Sequence, residues 1–110
     1  MELQLPKKIR VGEKWYSVEV VEAMADKHEM GAVDFRERKI RIGRKTSHGI
    51  PFKLSALKET FWHELVHAIL DDMGEHRLNN RESFVEDFSN RLSKAIETAT
   101  VSYTHLTLPT

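Results

Sequence analysis

A chain of 110 residues builds one hydrophobic core and has little room for a second. Lys plus Arg and Asp plus Glu stand at 17 each, so no net field draws the protein to nucleic acid or to an acidic membrane, and a local site must choose its partners. The absence of cysteine excludes disulfides and thiolate metal sites, leaving His, Asp and Glu as the available metal ligands.

The segment from Met1 to Lys8 lacks the apolar run of a signal peptide, and no stretch of about 18 apolar residues is present to span a bilayer. The expectation is a soluble, cytoplasmic protein that engages neither nucleic acid nor membrane. Ile9 to Val11 and Trp15 to Val21 are β-branched and aromatic runs separated by Gly12-Glu13-Lys14, the pattern of a hairpin. After a loop around Asp26 to Gly31, Lys39-Ile40-Arg41-Ile42 alternates as a half-buried strand does, with Val33 to Phe35 pairing beside it.

Thr46 to Pro51, broken by Gly49 and Pro51, reads as a loop into a helix that begins near Ser55 as N-cap and stops at Gly74. A second helix follows Asn79-Asn80 after a short turn and runs to Thr98, with Val85, Phe88, Leu92 and Ile96 as its apolar stripe. The predicted fold class is α+β: a small antiparallel sheet of three to four strands packed on two main helices. The last ten residues, 101–110, lose all Asp, Glu, Lys and Arg after a strongly charged stretch, and they resemble one reading frame of a transposase sequencing adapter of the kind that ends metagenomic open reading frames. The expected domain is therefore 1–100, with 101–110 a non-native tail in which Tyr103 and His105 have no role.

The chemistry is carried by Thr60-Phe61-Trp62-His63-Glu64-Leu65-Val66-His67-Ala68-Ile69-Leu70, a strongly helical run containing H-E-x-x-H. At about 100° per residue, His63 and His67 lie about 40° apart, one turn above the other, so both imidazoles reach a single cation. Glu64 projects about 100° round from His63, beside the open coordination position, where it takes a proton from a water acidified by the metal and passes it to a leaving amine. Leu57, Phe61, Trp62, Leu65, Val66, Ala68, Ile69, Leu70 and Met73 cover most of the circumference, which marks a buried helix. The remaining arc gathers Ala56, Thr60, His63, Glu64, His67 and Asp71 on one strip facing a cleft, and polar groups in an interior require a reason. A chain of this composition contains the motif by chance about 0.03 times.

Catalytic zinc takes three protein ligands and keeps one position open. Glu82 is the expected third ligand, three residues before Val85 on a helix that returns antiparallel to the first. Its competing role is a capping box, with Asn79 as N-cap and Glu82 at the third helical position. Glu86, one turn further on, either orients His63 by accepting its second ring N–H or replaces Glu82 as ligand. Asp71, four residues after His67, either orients that imidazole or favours solvent at the helix end. A longer H-E-x-x-H-x-x-G-x-x-H motif is excluded, because Leu70 and Met73 stand where it needs Gly and His. His28 and His48 fall in loops and read as solvated, while Tyr16, His76, Arg77 and Arg81 are the candidates for a donor to a developing oxyanion.

At these residues the chain resembles the small zincin-like metallopeptidases related to the ImmA/IrrE family, many of them encoded in phages and prophages. The likeness spans most of Gly31 to Ile96 and rests on the strand ending in Lys39-Ile40-Arg41-Ile42, the helix from Glu59 to Leu70, and the segment from Glu82 to Leu92. The resemblance implies a gluzincin-like set of two His and one Glu on zinc, with a further acid one turn after the Glu ligand. Glu82 and Glu86 match that spacing, Glu86 standing where the wider group has Asp; Ser83-Phe84-Val85 replaces the usual run after the Glu.

What the resemblance implies is zinc-dependent hydrolysis of a peptide bond in a specific protein, such as a phage or host regulator. A substrate peptide is expected to add as a strand along Lys39, Ile40, Arg41 and Ile42 and to lie across the metal. The competing function is a non-catalytic binding or regulatory module stabilised by a closed, four-ligand zinc site. A metal-free interaction protein is the third.

Overall fold

The computed structural model describes residues 5–26 and 28–103. In chain order the elements are β1 (Lys8–Val11), β2 (Lys14–Val21), β3 (Gly31–Asp34), β4 (Lys39–Gly43), α1 (Leu54–Met73), α2 (His76–Asn79) and α3 (Glu82–Tyr103). The class is α+β, as the sequence patterns indicate.

The hairpin of β1 and β2 turns through Gly12, whose φ of +61° is the left-handed value that the first position of a tight two-residue turn demands. A side chain there would also strike the Asp72 carboxylate, 2.3 Å from the position of a Cβ, so the turn sits directly against the end of α1. The second hairpin is closed by Asp34, whose Oδ1 accepts the backbone N–H groups of Arg36 (3.0 Å) and Glu37 (2.8 Å).

The sheet is mixed rather than antiparallel throughout. Its order is β1-β2-β4-β3, with β2 and β4 parallel in the register Ser17↔Lys39 to Val21↔Gly43. The segment after β2 passes over the end of β4, where Gly43 N–H donates to Met30 O at 2.9 Å, so the hairpin docks by its second strand. The reason is apolar content: Ile40 and Ile42 are fully buried and take the interior position, whereas the small residues of β3 take the edge. Lys39 to Ile42 therefore have neighbours on both sides and cannot receive a peptide as an added strand; the edge strands are β1 and β3, and the one beside β4 is Gly31–Asp34.

Helix α1 begins two residues earlier than a cap at Ser55 predicts. Lys53 is its N-cap in extended conformation without a side-chain cap bond, and Ser55 lies inside the first turn. Gly74 ends the helix as expected: at φ 75° its N–H donates to Asp71 O and the N–H of Glu75 donates to Leu70 O, the paired bonds of a Schellman motif. The reversal then contains a helical turn, α2, that the sequence patterns do not reveal.

One face of α1 packs on the sheet through Leu57, Phe61, Leu65 and Ala68, against Val11, Tyr16, Ile40 and Ile42. The opposite face carries Val66 and Leu70 and packs against Val85 of α3, flanked by Leu78, Phe84 and Leu92. Helix α1 is thus the middle of three layers, which explains its nearly all-round apolar surface; Met73, at the very end, is the exception and is exposed.

The stripe of α3 is rotated from the one predicted. Phe88 and Ile96 are exposed, and the residues buried with Val85 are Ser89 and Ser93. Small side chains let α3 approach α1 closely, and each hydroxyl is satisfied locally, Ser89 donating to Glu86 O at 3.2 Å and Ser93 to Asn90 O at 3.0 Å. The segment expected to be a non-native tail begins inside α3, and residues 104–110 lie outside the described residues. Among the described residues no helix is long and apolar enough to cross a membrane.

Candidate metal centre

Because the sheet covers one side of α1 and α3 the other, a gap opens where the two diverge, and the polar strip of α1 faces it. The gap is a cleft of about 640 Å³. Its floor is Ala56, Glu59, Thr60, His63, Glu64 and His67; β3 and the residues before it form one wall, and Glu82 and Glu86 form the other.

His63 and His67 face each other one turn apart, with ring centroids 4.9 Å apart and planes at 69°. Glu82, the first residue of α3, reaches both: its Oε2 lies 3.2 Å from His63 Nε2 and its Oε1 lies 2.9 Å from His67 Nε2. The ligand atoms of these three residues fall within 4.8 Å of one another, so the group could hold a metal ion. Nitrogen and oxygen donors at about 2.0–2.1 Å from a tetrahedral ion stand roughly 3.3 Å apart, close to the separations observed.

The outward ring atoms are also engaged. His63 Nδ1–H donates to Glu86 Oε2 at 3.1 Å, and His67 Nδ1–H donates to Asn79 Oδ1. With both Nδ1 atoms donating away from the centre, two Nε2 lone pairs and a carboxylate converge with no hydrogen among them. Three acceptors in that position require a cation or an added proton between them. Two imidazoles and one carboxylate form a donor set that could hold a metal ion.

The alternatives for these residues separate in the structure. Asn79 closes α2 and binds His67, so it does not cap α3, and Glu82 is not the third residue of a capping box. Glu86 orients His63 and stands outside the three-residue group. Asp71 is not the partner of His67; its charge falls on Tyr16, whose phenol is pushed up mainly by burial and then by Asp71. The connection through α2 decides between the two roles left open for Asp71, because it delivers Asn79 to the outward ring atom of His67.

Glu64 lies between α1 and β3, 9% exposed, and its carboxyl makes no hydrogen bond or ion pair within the described residues. Burial pushes it up to about 7; His67 opposes that shift, and the charges of Glu82 and Glu29 add to it. The close approach of β3 is permitted by Gly31, where a Cβ would lie 2.6 Å from Thr60 Cγ2, 2.9 Å from the Arg41 carbonyl oxygen and 3.2 Å from Glu64 Cγ. The histidines retain 17% and 16% of their side-chain exposure and Glu82 retains 70%, so the group is open toward the cleft.

Sequence patterns do not reveal three residues at the site. Asn79 read as a cap, and His28 and Glu29 as loop positions; the last two line the cleft because their loop leads into β3. Of the proposed oxyanion donors, Tyr16 is buried in the core, and neither it nor His76, Arg77 or Arg81 lines the cleft. No signal in the sequence separates His28 from the other loop histidine, His48, since only the path of the chain does so.

No family model matches the chain, and no curated protein or solved structure matches it either.

Proposed function

We propose that the chain is a zinc-dependent metallopeptidase with a gluzincin-like site, of the kind its resemblance to ImmA/IrrE relatives implies, acting in the cytoplasm on a specific protein. The observation that carries this reading is the convergence of His63 Nε2, His67 Nε2 and Glu82 on one point, with the other ring atoms held by Glu86 and Asn79. A zinc ion bound there supplies Lewis acidity, which lowers the pKa of a water toward about 7 and polarises a carbonyl.

The remaining work falls to the protein. Glu64, buried beside the ligand group, is the base that takes a proton from the attacking water and gives it to the departing amine. The open edge of β3 replaces β4 as the strand that binds substrate: Gly31, Ala32 and Val33 line the cleft, and their edge offers main-chain partners to an extended peptide. His28, on the same side, is the imidazole available to a developing oxyanion.

Three ligating residues favour catalysis over a closed structural site, since a fourth coordination position is left for water or substrate. The test is metal content combined with cleavage of a peptide library. The parent chain is expected to hold about one zinc and to cut, His63→Ala to lose the metal, and Glu64→Gln to keep the metal without cutting. Undiminished cutting by Glu64→Gln, or a fourth protein ligand in a zinc-bound crystal structure, would sink the reading.

A further inference from the structure

The pairing of β3 fixes which of its main-chain groups face the edge of the sheet. Gly43 N–H donates to Met30 O, and the antiparallel register runs Gly31↔Ile42, Ala32↔Arg41 and Val33↔Ile40. Hydrogen-bonded and non-bonded pairs alternate along such a ladder. Met30 and Ala32 therefore turn their N–H and C=O groups to β4, while Gly31 and Val33 turn theirs to the edge. An extended peptide that adds antiparallel pairs with Gly31 and Val33, two residues apart.

The same alternation decides where the peptide's side chains go. Val33 packs against the core between the sheet and α1, and a Cβ at Gly31 would meet Thr60 and Glu64 of α1, so both positions face the helix. Cross-strand partners share a face, which sends the peptide side chains opposite Gly31 and Val33 toward the cleft. The residue between them, opposite Ala32, has the reverse disposition. Its side chain points to the outer face of the sheet, and its carbonyl turns away from β3 toward the wall formed by Glu82. Anchored on both flanks, that residue brings its carbonyl to the ligand group.

The wall beside the position opposite Val33 is apolar. Val33 and Phe35 both line the cleft, and Phe35, the residue after β3, is 40% exposed. It lies two positions beyond Val33, on the diagonal that an aromatic side chain spans between neighbouring strands. Because the added peptide runs antiparallel to β3, its residue opposite Val33 precedes the residue opposite Ala32.

The geometry points to an extended substrate segment with a large apolar side chain one residue before the residue whose carbonyl reacts, received by Val33 and Phe35. This deepens the metallopeptidase reading and rests on it. The carbonyl-bearing residue itself is not selected, since its side chain leaves the cleft. Selectivity on this side of the reacting bond therefore alternates with the two-residue period of a strand.

The test uses the zinc-loaded full chain and N-acetylated tripeptide hydroxamates, whose hydroxamate stands where the reacting carbonyl would. A single leucine occupies the first, second or third position of an otherwise glycyl probe, and each is compared with the triglycyl parent. Leucine at the second position is expected to tighten binding about fivefold or more, and leucine at the first or third by less than about twofold. Phe35→Ala should abolish the second-position gain, and Phe35→Leu should keep most of it. A second position that gains no more than the others, or a gain undiminished in Phe35→Ala, overturns the inference while leaving the metal reading in place. A chain that takes up no zinc in metal analysis before any probe is added overturns both.

Discussion

The Nδ1–H of His67 donates to Oδ1 of Asn79, the last residue of α2, twelve positions later in the chain. That bond fixes the imidazole with its Nε2 lone pair toward Glu82, and it ties a residue of the buried helix to the turn that delivers the carboxylate. Removing the Asn79 side chain frees the ring to rotate and to exchange tautomers. Asn79→Ala is expected to bind zinc about 10- to 100-fold more weakly than the parent, with its helical circular dichroism retained. Competition against a chromophoric chelator measures the affinity, and unchanged binding would show that Asn79 positions nothing.

Gly31 and Glu64 touch across the floor of the cleft. A methyl group at position 31 meets the Arg41 carbonyl oxygen at 2.9 Å, backbone that cannot swing aside as a long side chain does, as well as Thr60. Gly31→Ala is therefore expected to displace β3 from α1 and to destabilise the fold by about 1–3 kcal/mol, the usual cost of overpacking. Urea titration provides the measurement, and a neutral result would mean that β3 stands further from the helix than described.

The metal-free protein should lose stability as pH rises toward neutrality. Glu64 has its pKa raised from 4.5 to about 7 by burial, so between those values the folded chain keeps a proton that the unfolded chain releases. The folded state then binds more protons, and stability falls with rising pH until about 7, above which the loss is complete. At 1.36 kcal/mol per unit the contribution is about 3 kcal/mol. Glu64→Gln, which carries no titrating proton, should remove most of this slope when unfolding of the chelator-treated protein is followed from pH 4.5 to 8.

Zinc should stabilise the fold because its three ligands are assembled only in the folded chain. At a free concentration about a thousandfold above the dissociation constant, the gain is about 4 kcal/mol, and a chelator should reverse it. His63→Ala should melt at one temperature with or without chelator. A parent protein equally indifferent to chelator would argue against metal binding.

Much of the candidate site was legible in the sequence because helical periodicity is local. His63, Glu64 and His67 are placed relative to one another by the pitch of one helix, and the apolar residues around them announced that the helix is buried. The same reasoning supplied the first hairpin, the Gly74 stop, and the spacing of Glu82 and Glu86. It failed for the stripe of α3, where buried Ser89 and Ser93 carry no apolar signal.

What tertiary structure alone decided is which separate elements meet. The alternation of Lys39 to Ile42 identified a strand but not its neighbours, and the order β1-β2-β4-β3 made it interior, with Gly31–Asp34 as the edge strand beside it. Asn79 rather than Asp71 reached His67 because a helical turn formed within the reversal between α1 and α3. Sequence determines what each segment offers, since side-chain direction follows from local backbone geometry. The partners it meets depend on how whole layers pack, a cooperative outcome that no single window contains.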